Sequence, residues 1–338
     1  MNLLFSCIGK RGYIAEMFRQ HLGKSDRIIG TSNTPWTSGF HVCDAGYLMP
    51  PIQDPAYPEA VIELCRREHI TALLSFFDMD VHRLSRYVED FRSIGVIPFI
   101  PDARASDITF DKVMTYEFLK GQGIATARTY TSLDQTREAL RTNEVCFPLY
   151  VKPRAGFGSR NTFQASDERQ LEVFFSLEPE MIAQETLRGD AYDFDILNDL
   201  DGRVLSIVPW RKLSSRMGET ERSETVESPL LLDLGKRLAE ALGHSGPLDA
   251  DLFVDQGKAF VLEINLRFGG GYPVSHLAGA GFPEMIVRIA RGERVEPVIG
   301  KYDKGVAMMK ELHVIGGVHN NFFQNILKVR NDVLADKG

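Results

Sequence analysis

The residues best suited to chemistry lie in one stretch, DLFVDQGKAFVLEINLR, running from Asp251 to Arg267 and followed by Phe268-Gly269-Gly270-Gly271-Tyr272. Side chains on a strand point alternately to its two faces. The second half of the stretch is therefore expected to show Phe260, Leu262, Ile264 and Leu266 on an apolar face, and Val261, Glu263, Asn265 and Arg267 on the other. Asp255-Gln256-Gly257-Lys258 supplies a turn, with Gly257 suited to a positive φ. A three-residue loop is expected, because it puts Asp251 on the face of Glu263 and Asn265, whereas two or four residues would turn it to the apolar face. Oxygens from Asp251, Glu263 and Asn265 beside Arg267 suit Mg2+, which needs only one or two protein carboxylates when substrate phosphates complete its shell. The competing reading is an exposed polar strand face.

A second group, YVKPRAGFGSRN, ends an apolar strand in Lys152 and continues into a loop with Gly156, Gly158 and Ser159. Glycine lets backbone N–H groups approach phosphate oxygens, and a strand-end lysine adds a fixed positive charge. Alone, the loop also reads as an ordinary hairpin. A third group, MIAQETL at 181–187, runs an apolar strand into Gln184 and Glu185 and offers backbone donors and acceptors to an adenine edge. The strand after it sets Tyr192, Phe194 and Ile196 against Asp193 and Asp195, and reads as antiparallel with a solvated acidic face.

The acceptor side is less clearly encoded. Asp78 and Asp80 follow an apolar strand, as ligand groups or as caps of the next helix. The basic run Arg211, Lys212, Arg216 and Arg222 reads as an anion clamp or as a solvated loop. The triple glycine after Arg267 would let backbone approach an acyl group. His276 reads as a packed or exposed histidine rather than a base.

Positioning these groups requires two kinds of element. Up to about residue 100, short apolar runs such as LLFSCI, RIIG and TALLSFF alternate with helical-period segments, the pattern of βαβ units and a parallel sheet. Gly9-Lys10-Arg11-Gly12 lacks a full dinucleotide fingerprint and reads as close strand–helix packing. Thereafter helices are expected at Asp111–Gly121, Leu231–Leu242 and near 284–291, with strands near 146–152, 181–184, 192–198, 203–209 and 250–267, an α+β arrangement. A length of 338 residues accommodates two or three domains. The net charge of −7 gives no global footprint for nucleic acid or anionic lipid, so small molecules are the expected partners. No run approaches the ~18 apolar residues of a membrane span. Cys7 stands too early for a lipoprotein signal, and Cys7, Cys43, Cys65 and Cys146 form no metal or disulfide pattern. A cytoplasmic location is expected.

Taken in order, Asp111-Lys112, VKPRAGFGS at 151–159, QETLRG at 184–189, the acid at 251 and LEINLR at 262–267 resemble an ATP-grasp enzyme. The chain resembles in particular the ATP-binding domains of the carbamoyl-phosphate synthase large chain and its short stand-alone homologues. LLFSCIGKRGYIAEMF and LLSFFDMDVHRL resemble the α/β domain that precedes such a fold, and GAGFPEMIVRIARGE the helix after its metal strand. The resemblance implies a doubly wound α/β domain over 1–105, and an ATP-grasp α+β domain over 106–298 with a lid at about 113–190. Strands or a tail over 299–338 would pack on the body.

The resemblance also implies roles. Lys112 and Lys152 would contact the phosphates of ATP, and the loop 155–160, with Gly156, Gly158 and Ser159, would close over them. Gln184, Glu185 and Leu187 would form the adenine hinge. Asp251, Glu263 and Asn265 would hold Mg2+, or Mn2+ in its place, with Glu263 bridging two ions. Arg267 and Lys152 would act in catalysis. The acid expected at the ribose is replaced by Ala191, with Asp190 or Glu185 as substitutes. The implied activity joins a small-molecule carboxylate to an amine through an acyl phosphate, releasing ADP, in a chain that admits a homodimer. A bicarbonate-phosphorylating enzyme and a non-catalytic ATP-binding regulator are the alternatives.

Overall fold

The computed structural model describes residues 1–316 apart from 157, 159 and 217. Ser159 and the tail beyond residue 316 therefore lie outside the described residues. The chain forms two compact units, one of Met1–Asp102 and Gly281–Glu296 with residues 311–316, the other of Ala103–Ala280 with Pro297–Lys310.

In the first unit the short apolar runs become β1 (Asn2–Ser6), β2 (Arg27–Ser32), β3 (Ala45–Leu48), β4 (Ala72–Ser75) and β5 (Ile97–Pro98), all parallel, in the order β3-β2-β1-β4-β5. This is the expected doubly wound sheet. All four residues of β4 are buried, as suits a parallel strand covered on both faces. Gly12 opens the first helix where a Cβ would already press on His41 and Val42 at 3.3 Å, in keeping with the packing reading of its glycines.

Asp80 departs from both of its readings. It is fully buried, accepting from Tyr57 Oη at 2.6 Å and Ser75 Oγ at 2.7 Å. The cap position of the following helix is Phe77, with no side-chain bond. The helix Phe282–Ala290, which the expected boundaries give to the second domain, belongs to this unit, packed against the helix Gly12–Arg19. Its end is tied down by Arg291, which pairs with Asp26 at 3.0 Å.

The second unit holds two antiparallel sheets. β6 (Thr129–Tyr130), β7 (Leu149–Pro153), β8 (Phe163–Ala165) and β9 (Met181–Glu185) are ordered β6-β9-β7-β8 around a core that includes Leu149, Val151, Leu171 and Ala183. β10 (Asp190–Asn198), β11 (Val204–Arg216), β12 (Glu219–Thr225), β13 (Gly246–Asp255), β14 (Lys258–Asn265) and β15 (Ala307–Met309) are ordered β14-β13-β10-β11-β12-β15. β12 lies in the segment read as a clamp or loop. Its buried side are Thr220, Ser223 and Thr225, so hydrophobic alternation could not reveal it. The helix Pro229–Leu242 starts on Ser228, which accepts from the Leu231 N–H, and stops at Gly243 with φ +64°.

Candidate active site

β13 and β14 are joined by a two-residue turn, Gln256-Gly257, with φ of +48° and +78°. Positive φ at both positions marks the hairpin turn that matches strand twist. The expected three-residue loop is thus corrected, yet Asp251 still shares a face with Glu263. The reason is a bulge. Pairing runs Leu252↔Val261 and then Asp251↔Glu263, leaving Leu262 without a partner. One extra residue exchanges the faces of the strand on either side of it. Ala259 and Val261 are buried before the bulge, Ile264 and Leu266 after it. Val261 therefore leaves the polar face assigned to it, while Phe260 and Leu262 leave the apolar one and are only half-buried.

The neighbouring strand corrects a second expectation. β10 sets Asp193 opposite Asp251 and Asp195 opposite Asp249, and Asp193 and Asp195 are only 3% and 1% exposed rather than solvated. Asp195 accepts from Trp210 Nε1 at 2.9 Å and Ser275 Oγ at 2.5 Å. Burial, then the nearby Asp249, pushes its carboxyl up to about 8. Lys212 stands between Asp193 at 3.2 Å and Asp251 at 2.5 Å. Burial works against its charge, but the two carboxylates outweigh it and hold the ammonium above the ordinary lysine range. Burial would likewise raise Asp251, yet Lys212 holds it below the usual carboxylate value, whereas burial and Asp251 push Asp193 well up. Asp251 is the carboxylate that keeps its charge.

Lys212 is thus an internal counter-ion. Its neighbours form cross-strand pairs, Arg211 with Glu224 at 2.7 Å and Arg216 with Glu221 at 4.0 Å. Asp249 was missed by the sequence reading. It accepts from Asn265 Nδ2 at 3.3 Å and from Arg267 Nη1 at 3.4 Å. The available signal was its place two residues before Asp251, on the same strand face. A Cβ on Gly269 would lie 2.2 Å from Asp249 Oδ1, and one on Gly271 2.2 Å from the Trp210 ring. The glycines let this loop pack directly on the acids and the indole. A Cβ on Gly270 would lie 3.9 Å from Lys310 Nζ, so the end of β15 brings a lysine to the same loop.

Asp111 fixes the start of the helix that carries Lys112. Its Oδ1 caps the helix Lys112–Gly121, accepting from the N–H of Val113 at 2.9 Å and Met114 at 3.2 Å. Such a cap contributes ~1 kcal/mol. Its Oδ2 pairs with Arg154 at 2.7 Å, tying the helix start to the chain after β7, and Lys112 Nζ donates to Gly156 O at 3.1 Å. Lys152 is 8% exposed, and burial pulls its ammonium down to about 8 against the opposing pull of Glu263.

Lys112, Lys152, Gly156, Gln184, Glu185, Leu187 and Glu263 line one cavity of about 310 Å3, with Phe253 and Leu262 among its apolar walls. Gly158, Asp190, Asp251, Asn265 and Arg267 are outside that lining. Asp251 and Asn265 are nevertheless joined to it through Glu263, as cross-strand partner and as second neighbour along β14. Asp190 is exposed at the start of β10. Among the described residues no three Asp, Glu, His or Cys side chains converge on a metal position. The set is two opposed carboxylates and one amide, all oxygen donors, which fits Mg2+ completed by phosphates and water and does not fit zinc.

Residues 3–99 match the family described as PylC-like, N-terminal domain, and residues 177–312 match that described as ATP-grasp in the biosynthetic pathway with Ter operon. The biotin carboxylase domain of the Hydrogenobacter thermophilus 2-oxoglutarate carboxylase, solved with MgADP, superposes with a TM-score of 0.71 at 16% identity over 90% of this chain and 73% of that one. The fold is that of the ATP-grasp proteins. An L-amino acid ligase from Bacillus licheniformis shares the ATP-grasp fold at a TM-score of 0.65, with 18% identity over 87% of this chain and 75% of that one. In sequence, the carbamoyl phosphate synthase arginine-specific large chain of Bacillus subtilis is 19% identical over 289 residues, 81% of this chain. The chain spans only 27% of that relative's length. No helix among the described residues is long and apolar enough to cross a membrane.

Proposed function

We propose that the chain is an ADP-forming carboxylate–amine ligase working through an acyl phosphate. The observation that carries this reading is one cavity in which Lys112 and Lys152 meet Glu263, itself directly across from Asp251. Phosphoryl transfer asks for positioning and charge rather than a protein nucleophile. On this reading the base lies between apolar walls that include Phe253 and Leu262, with Gln184, Glu185 and Leu187 at its edge. The polyphosphate runs past Lys152 and Lys112 under Gly156 and Gly158. With Ala191 in place of an acid and Asp190 exposed, the ribose hydroxyls fall to Glu185, which lines the cavity.

Asp251, Glu263 and Asn265 would hold two Mg2+ ions, which when bound neutralise phosphate charge. Arg267, held by Asp249 and by Phe268 O, adds positive charge for the transferring phosphoryl group. A substrate carboxylate oxygen attacks the γ-phosphorus as the bond to ADP breaks. The amine nitrogen then attacks the acyl carbon, the C–O bond breaks with phosphate leaving, and the nitrogen gives up a proton. The L-amino acid ligase among the fold's relatives supports this class of reaction.

The test is ADP release from pools of acids and amines with hydroxylamine as trap, and both ADP and a hydroxamate are expected. Formation of AMP and pyrophosphate would sink the acyl-phosphate route, and ADP formed with bicarbonate alone would replace the organic acid.

Lys152 adds a pH dependence. Its folded pKa of about 8 lies below the unfolded value of ~10.4, so the unfolded chain binds more protons between those limits and stability rises with pH across that window. Over the same window the cavity loses a cation. Mg-ATP affinity is therefore expected to fall several-fold from pH 7.5 to 9.5, and to fall less in Lys152→Arg, whose guanidinium stays charged. Affinity that holds constant to pH 9.5 in the wild type would remove Lys152 from the phosphates.

A further inference from the structure

We infer that Thr129 sets the base selectivity of this cavity by fixing which end of the Gln184 amide is offered to the ligand. The inference rests on the nucleotide reading of the cavity. Gln184 is 4% exposed, lines the cavity, and stands opposite Thr129 in the β6–β9 ladder. A glutamine amide has a donor end and an acceptor end of nearly the same shape, and only its hydrogen-bond partners decide which way it lies.

Two hydrogen bonds decide it here. Thr129 Oγ1 donates its one proton to Ala127 O at 3.0 Å. The hydroxyl oxygen can then only accept, and it does so from Gln184 Nε2 at 2.8 Å. Gln184 Oε1 is left buried with no hydrogen-bond partner among the described residues. A buried acceptor in that state is satisfied when a ligand brings an N–H to it. A purine with an exocyclic amino group at its six position does so. A purine with a keto oxygen there would set acceptor against acceptor. The opposite amide orientation would favour the keto base, but it would need the threonine proton that Ala127 O already takes. Gln184, able in principle to serve either base, is made to behave as a fixed acceptor.

The experiment is direct binding of Mg-ATP and Mg-GTP to the full chain by calorimetry. The wild type is expected to prefer ATP. Thr129→Val keeps the volume but removes the acceptor for Nε2, so the ATP-over-GTP affinity ratio is expected to fall about tenfold, the scale of one hydrogen bond. Adding Gln184→Glu, whose oxygens both accept, is expected to restore the ratio. Should Thr129→Val fail to fold, Gln184→Leu in the wild-type background carries the same expected loss of ratio. An unchanged ratio in Thr129→Val, or in Gln184→Leu, overturns the inference while leaving the nucleotide site in place. A wild type that binds neither nucleotide overturns both.

Discussion

Glu263→Gln is expected to slow ADP release by about 10^2–10^3-fold while leaving the melting temperature close to that of the wild type. The substitution keeps the shape of the side chain and removes its charge, at the residue that both lines the cavity and faces Asp251 across the hairpin. Its two partners on the hairpin are satisfied without it. Asp251 is paired with Lys212, and Asn265 donates to Asp249. Little stability therefore depends on the Glu263 carboxylate, while on the proposed function the charge of metal-bound phosphate depends on it directly. Steady-state rates over a Mg2+ titration, alongside thermal melts, check the point. An undiminished rate at saturating Mg2+ would take Glu263 out of the metal set.

Lys212→Met should behave in the opposite way, with stability as the first casualty. The lysine is 18% exposed at its side chain and serves two carboxylates, one of them, Asp193, 4% exposed. Removing one partner from a buried ion pair leaves charge uncompensated and costs about 3–5 kcal/mol. For a unit of this size that is a fall of roughly 6–20 °C in melting temperature. Adding Asp251→Asn to the same chain should recover most of the loss, because it removes the carboxylate that keeps its charge beside the lysine. A loss below about 1 kcal/mol in the single variant would mean that solvent already screens the pair.

These two variants also show what a sequence can and cannot carry. Residue type and local spacing sufficed for the parallel sheet, because its strands are continuous apolar runs between amphipathic helices. They also singled out Lys112, Lys152 and Glu263, which line one cavity. Asp193 and Asp195 were misplaced because an alternating acidic face looks the same whether it meets water or another strand. Only the pairing of β10 with β13 shows that it meets Asp251 and Asp249. Lys212 was ambiguous for the same reason, and β12 was missed because polar residues form its buried side. Thr129 lies on a two-residue strand with no pattern of its own. Its importance is visible only from the ladder partner across the sheet.

Leu262 works as an expansion joint in the hairpin that carries the acids. Were it absent, Val261 would run straight on to Glu263 and an unbroken ladder would still set Asp251 against Glu263. The extra residue leaves that opposition intact and adds one apolar side chain to the cavity wall. The lining of the cavity and the spacing of the acids are thus separately adjustable on one pair of strands, so the shape of the cavity can change without moving Asp251 off Glu263.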